Sequence, residues 1–202
     1  MLLHYFHSMQ YLGAFIGFLL FAGTGAMAAP ASANAPAVAQ VAPVPSYASY
    51  SVAMTAYNAV PSQTDGSPLE TASGAYSNPQ VVAARSQDLG SELPFGTIIE
   101  IEGPATKGDT CGYSVVRPII GYRVIADTMN VRYTNRIDIL FPTTANYLIG
   151  DGVTLNASNL LGICHGVTIR VVGHVDLSNP ANLPKSQAAL DALVSGGGLA
   201  VR

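Results

Sequence analysis

No Asp, Glu, Lys or Arg occurs before Asp65, so every carboxylate, lysine and arginine that can do acid–base chemistry lies in the later part of the chain. The first quarter is compositionally unlike the rest and is set aside before domains are counted. Within it, residues 11–29 read YLGAFIGFLLFAGTGAMAA, about 19 apolar or small residues ending in Ala26-Met27-Ala28, the small-x-small pattern that a signal peptidase accepts. Three fates fit residues 1–28: a signal peptide cleaved after Ala28, a retained membrane anchor, since roughly 20 apolar residues cross a bilayer, or a soluble buried helix. The leading MLLHYFHSMQ carries no Lys or Arg, a departure from the usual basic start of a signal peptide. The first two predict an exported protein, periplasmic, cell-wall associated or secreted. Residues 29–49 follow as an Ala/Pro-rich linker that reads as extended and unable to form a core.

One folded domain is expected after the linker, at residues 50–174, with a tail at 175–202. The net charge of -3 and the lack of any Lys/Arg run argue against nucleic acid, because phosphate binding needs clustered cations. Inside the domain the apolar period is two. Residues 51–57, 96–102, 122–127, 136–141 and 167–172 are β-rich runs bounded by Gly, Pro or Asn and read as strands. Residues 81–84 and 113–116 are weaker strand candidates, the second placed at an edge or turn by Pro118. One short helix is predicted over Thr144–Ile149, with Thr143 as N-cap and Gly150 as stop. A second fits Gln187–Val194, capped by Ser186 and ended by Gly196-Gly197-Gly198. The class is mainly β.

Cys111 and Cys164 are the only cysteines. Joined, they close a loop of about 54 residues, which chain entropy makes worth roughly 4 kcal/mol; export favours the bond. The other reading is two unrelated buried thiols.

Asp127 ends one predicted strand and Asp138 lies near the start of the next. If those strands are neighbours, two carboxylates meet at one end of the sheet. Such a pair cannot ionise cheaply together, so one keeps its proton at neutral pH beside an ionised partner, as cleavage of a glycosidic bond requires. Alternation puts Arg136 and Asp138 on one face, opposite Ile137 and Ile139. The plainer reading makes both aspartates turn and strand-end residues satisfied by Arg132, Arg136 or backbone N–H groups.

The ordered segments Thr55-Ala56-Tyr57, Gln63-Thr64-Asp65, Thr71-Ala72-Ser73-Gly74, Val82-Ala83-Ala84, Leu93-Pro94-Phe95-Gly96-Thr97, Asp127-Thr128-Met129-Asn130 and Asn135-Arg136-Ile137-Asp138 resemble the 3D (three-aspartate) domain family. The resemblance runs from about Val52 to Val172. It implies a six-stranded double-psi β-barrel, similar to the barrels of membrane-bound lytic transglycosylase A and the stationary-phase survival muralytic enzymes. It also implies a substrate, peptidoglycan glycan strands, and an activity, lytic transglycosylase-like cleavage of the β-1,4 bond between N-acetylmuramic acid and N-acetylglucosamine. By position, Asp138 matches the family's catalytic aspartate and Asp127 the second aspartate beside it. The third is Asp65 or Asp88. Asp65, Thr71, Asn135, Arg136 and Tyr57 are the expected glycan-positioning residues. Tyr57, Tyr76 and Tyr133 are candidates for stacking on sugar rings, the plainer reading being packing at strand ends.

Two departures from the family stand out. Its well-studied enzymes carry Gly-Gly-Ala-Ile-Lys-Gly where this chain has Met129-Asn130-Val131-Arg132-Tyr133-Thr134, so the loop lysine is missing and Arg132 is the nearest cation. The stretch from Pro104 to Pro118, with Cys111, is longer than usual. The missing lysine keeps a second class open, a non-catalytic barrel that binds cell-wall glycan or a partner protein. No cofactor is implied, and His165 and His174 form no metal-ligand spacing. Cys164 and His165, being adjacent on an extended segment, point to opposite faces and do not suggest a thiol–imidazole pair.

Overall fold

The computed structural model describes residues 47–105 and 111–196. The signal or anchor segment and nearly all of the linker lie outside the described residues. Six strands close into a barrel in the order β1, β5, β2, β4, β3, β8. These are β1 (Ser49–Tyr57), β2 (Val82–Arg85), β3 (Thr97–Pro104), β4 (Arg123–Thr128), β5 (Arg136–Leu140) and β8 (Cys164–His174). β1 runs parallel to β5 and β2 parallel to β4, while the remaining neighbours are antiparallel. A closed six-stranded barrel of mixed pairing is compatible with the double-psi arrangement.

Why these segments form strands follows from burial on both faces. Ala83 faces Ile125 and Ile139 across the ladders, and together with Met54, Ile99, Ile137 and Ile169 they form one apolar cluster. On the opposite face Val82, Ala84, Ile98, Val124 and Leu140 build a second. Strands buried on both sides need near-continuous apolar runs, as Val81-Val82-Ala83-Ala84 is. The described part of the tail belongs to the second cluster through Leu177, Leu183 and Leu190. Its helix α3 (Gln187–Ser195) starts at Ser186, whose hydroxyl accepts the Ala189 N–H, and its Gln187 amide donates to the Tyr122 carbonyl at 2.8 Å. Gly96, at φ 92°, makes the junction to the tail possible: its N–H bonds the Ile125 carbonyl and its own carbonyl takes the Val175 N–H. A Cβ at Gly96 would sit 1.9 Å from the Val175 oxygen, so no other residue fits.

Two expectations are corrected. The predicted helix over Thr144–Ile149 is instead a hairpin, β6 (Asn146–Leu148) paired with β7 (Thr154–Asn156). Gly150 does not stop a helix there. Asp151 and Gly152 take positive φ and fold the chain back, and Tyr147 and Ile149 prefer the extended form. The helix comes later, as α2 (Ala157–Leu161), capped by the Asn156 side chain on the Ser158 N–H. The weak strand at 113–116 is a single turn of helix, α1 (Tyr113–Val116), running into a 3₁₀ turn at Arg117–Ile119 where Pro118 is tolerated early.

Cys111 and Cys164 are bonded, with Cα atoms 5.3 Å apart, tying the segment before α1 to the start of β8. Reduction, or Cys111→Ser with Cys164→Ser, is expected to lower unfolding stability by roughly 3 to 4 kcal/mol, read from urea unfolding with the m-value fitted separately for each form, since the released unfolded chain exposes more surface. A shift under about 1 kcal/mol would show that the loop is already constrained in the unfolded chain.

Candidate functional site

The site forms along one line of paired residues crossing four strands. Thr55 of β1 is opposite Asp138 of β5, Asp138 is opposite Ala84 of β2, and Ala84 is opposite Asp127 of β4. The two aspartates are therefore not on neighbouring strands, as the sequence suggested they might be treated; β2 lies between them. Two strand spacings put their backbones roughly 10 Å apart. Regular pairing would set Ala126 against Ala84 and leave Asp127 on the far face. The register instead skips from Ala83–Ile125 to Ala84–Asp127, and this bulge turns Asp127 to the side that Asp138 occupies. Loop 129–135 then passes over the end of β2, held by the Met129 N–H on the Arg85 carbonyl and the Ser86 N–H on the Arg136 carbonyl, each at 2.9 Å.

Asp138 accepts the Thr55 hydroxyl on Oδ1 at 2.8 Å. Burial pushes its carboxyl up to about 7, against the opposing pull of the Thr55 hydrogen bond and Arg136; the charge of Asp127 adds to the rise as the least of these causes. The expected proton-holding acid is present, but desolvation rather than carboxylate repulsion sustains it. Asp127 is held by three donors: the Tyr57 hydroxyl at 2.8 Å, the Ala72 N–H at 2.9 Å and its neighbour's Thr128 N–H at 2.8 Å. Tyr57, nearly buried, has its phenol pushed well above its ordinary value by burial and then by Asp127, so it remains a donor. The Thr71-Ala72-Ser73-Gly74 turn explains its own sequence. Gly74 at φ 80° closes it onto the Thr71 carbonyl, and Ser73 anchors it to the Ala126 carbonyl, which aims the Ala72 N–H at Asp127.

Asp138, Asp127, Tyr57, Thr71 and Asp65 all line one groove of about 920 Å³. Asp65 is exposed there, its Oδ1 taking the Ser67 N–H at 2.8 Å. Asp88, the other candidate for the third aspartate, lies outside the lining. It accepts the Asn135 N–H at 2.8 Å, and hydrogen bonds from Ser86 and then Asn135 hold its carboxyl below the ordinary range. Thr71 contributes structure more than a free donor: it is 4% exposed, and its hydroxyl is engaged with the Ala75 carbonyl and the Ser73 hydroxyl. Asn135 and Arg136 are not in the lining. Asn135, at φ 46°, donates its side-chain amide to the Ser51 carbonyl, and the Arg136 guanidinium lies 5.0 Å from the centre of the Tyr133 ring. Sequence reasoning missed Thr55 as the partner of Asp138, although its place two residues before Tyr57 on one strand face was available. It also missed Ala84, whose small side chain leaves room between the aspartates. A second, smaller cavity of about 230 Å³ lies elsewhere, beside Tyr113, Tyr122 and Asp191.

The raised Asp138 carboxyl has a consequence for stability. Between about pH 4 and 7 the folded state holds a proton that the unfolded chain has released, so stability falls as pH rises through that window and levels off above it. The swing is at most about 4 kcal/mol. Asp138→Asn is expected to remove it, leaving the variant more stable than the parent at pH 8 and similar at pH 4. Parallel pH slopes for the two proteins in urea unfolding would mean that Asp138 titrates normally.

No protein-family model matches this chain, and no curated protein or solved structure matches it either.

Proposed function

We propose that the chain is an exported, lytic transglycosylase-like enzyme of the three-aspartate, double-psi barrel kind, acting on peptidoglycan glycan strands. The observation that carries this reading is Asp138, a desolvated carboxyl that holds a proton near neutral pH in the wall of a groove of about 920 Å³. With Oδ1 taken by Thr55, Oδ2 accepts no hydrogen bond from the described residues and is the oxygen left to carry the acidic proton. That proton passes to the glycosidic oxygen as the bond to the anomeric carbon of N-acetylmuramic acid breaks. The same carboxylate then takes the proton of the sugar's 6-hydroxyl while that oxygen bonds to the anomeric carbon, giving a 1,6-anhydro end without water. Asp127, fixed by its three donors, faces the developing positive charge. The disulfide is compatible with an oxidising, exported setting.

A second reading, a non-catalytic glycan-binding barrel, is favoured by one feature: both oxygens of Asp127 are already occupied by donors from the protein. Mass spectrometry of purified peptidoglycan digested by the full chain separates the two. New 1,6-anhydro muropeptides support the enzyme; glycan that is bound and left uncut supports the binding module.

A further inference from the structure

We infer that Arg132 and Tyr133 in the groove lining, with Arg136 against the same ring but outside the lining, form a subsite for a carboxylate carried on the glycan, an inference that rests on the glycan reading of the groove. Both guanidinium carbons lie close to the centre of the same Tyr133 ring, Arg132 at 4.8 Å and Arg136 at 5.0 Å. Arg132 and Tyr133 line the groove, and Arg132 also donates to the Tyr133 hydroxyl at 2.9 Å. Arg136 precedes Asp138 by two residues on β5, so it stands on the same face as the acid.

Neither cation forms an ion pair with a carboxylate among the described residues, though Arg136 is near enough to Asp138 to pull its carboxyl down. Among the described residues the one ion pair is Arg170 with Glu102, far along the chain from this ring. The Arg136 Nε is buried with no hydrogen-bond partner. A ring face attracts a guanidinium but carries no net charge, so two like charges meet at one ring with neither held in a salt bridge. A carboxylate is the group that suits them, because guanidinium donors match its two oxygens in a bidentate fork. The rest of the groove has the opposite sign, with Asp65, Glu70 and Asp127 in its walls. A neutral glycan would gain nothing from this polarity. A glycan with an acidic substituent would be oriented by it, with the carboxylate at the arginines. Such a group exists on the lactyl ether of N-acetylmuramic acid once the peptide is removed, and on the peptide stem before removal.

The test is calorimetric binding to the full chain carrying Asp138→Asn, so that no ligand is consumed. The probes are three glycans of equal length: peptide-free strands with a free lactyl carboxylate, peptide-bearing strands, and neutral N-acetylglucosamine oligomers. At least one acidic glycan is expected to bind roughly tenfold more tightly than the neutral one, with the preference eroded at high salt. Adding Arg132→Gln is expected to remove the preference, and Arg132→Lys to restore part of it. Preference for peptide-free strands assigns the lactyl carboxylate as the source; preference for peptide-bearing strands alone assigns the stem. Equal binding of acidic and neutral glycans, unchanged by Arg132→Gln, overturns the subsite and leaves the glycan reading standing. Binding of none of the three overturns both.

Discussion

Asp138→Asn is expected to abolish glycan cleavage while leaving the barrel folded. An amide of nearly the same size keeps the Thr55 hydroxyl as a donor to its oxygen, so the local hydrogen bond survives. What it loses is the proton that it must give to the leaving oxygen and take back from the 6-hydroxyl. General acid–base assistance is worth about 10² to 10⁴-fold, or roughly 3 to 5 kcal/mol of barrier. Asp127→Asn is expected to cost less, because its role is to face positive charge, and the Asn amide would meet donors from Ala72 and Tyr57 that it satisfies only in part. The readout is the initial rate of 1,6-anhydro product formation by each variant. The parent rate is also expected to fall as pH rises through about 7, where Asp138 loses its proton. A rate for Asp138→Asn within tenfold of the parent would remove Asp138 from the chemistry. A pH profile flat between 6 and 9 would say that some other acid delivers the proton.

The strands were legible because their apolar content survives as a local signal. Val81–Ala84 and Ile98–Ile101 are extended in any register, since both faces are buried. The short elements were not. Residues 144–149 carry a plausible N-cap and a glycine stop, yet the positive φ at Asp151 and Gly152 decides for a hairpin, and the Asp-Gly pair is itself the local turn signal that outweighs the cap and stop. The tail could be read as a helix from its Ser186 cap, but Leu190 as its buried contact depends on Val124 and Val82, more than 60 residues earlier. The aspartates show the same division. Their spacing suggested carboxylates at one end of a sheet, and both line one groove. The intervening strand β2 and the bulge beside Ala126 belong to the ladder, which no period along the chain encodes. Hence the raised Asp138 was expected for one physical cause and arises mainly from another. Arg123 was invisible for a related reason. Charged residues in strands are usually solvated, and nothing local marks this one as an interior group.

Arg123→Met is expected to be the most destabilising single change in the barrel. Arg123 is fully buried at the start of β4, and burial holds its guanidinium down to about 9, still charged at neutral pH. No carboxylate is paired with it among the described residues. Backbone carbonyls take that place: Ile120 at 2.7 Å, Pro79 and Ile119 at 2.8 Å, Leu140 at 3.2 Å and Val82 at 3.4 Å. The Phe141 ring adds a face 5.7 Å from the guanidinium carbon. These carbonyls come from the turn before β4, the entry to β2 and the end of β5, so one side chain ties together three segments remote in sequence. Methionine can refill much of the volume, and shedding a buried charge returns some desolvation energy. It cannot donate, and several buried carbonyls lose a partner at once, each costing about 1 kcal/mol or more. A net loss of roughly 3 to 5 kcal/mol follows, a large share of the 5 to 15 kcal/mol that holds a typical domain. Arg123→Lys is expected to recover only part of it, since an ammonium with three donors cannot span carbonyls arranged around a planar fork. Leu140 lies two residues beyond Asp138 on β5, so loosening this end also admits water toward the acid. Arg123→Lys, where it folds, is therefore expected to narrow the pH window over which stability falls, bringing its upper end below about 7 as Asp138 becomes better solvated. Urea unfolding of the parent, Arg123→Lys and Arg123→Met across pH 4 to 8 reads both effects. A loss below about 1 kcal/mol for the methionine variant would show that the five carbonyls find other donors, and that the barrel does not depend on this cation.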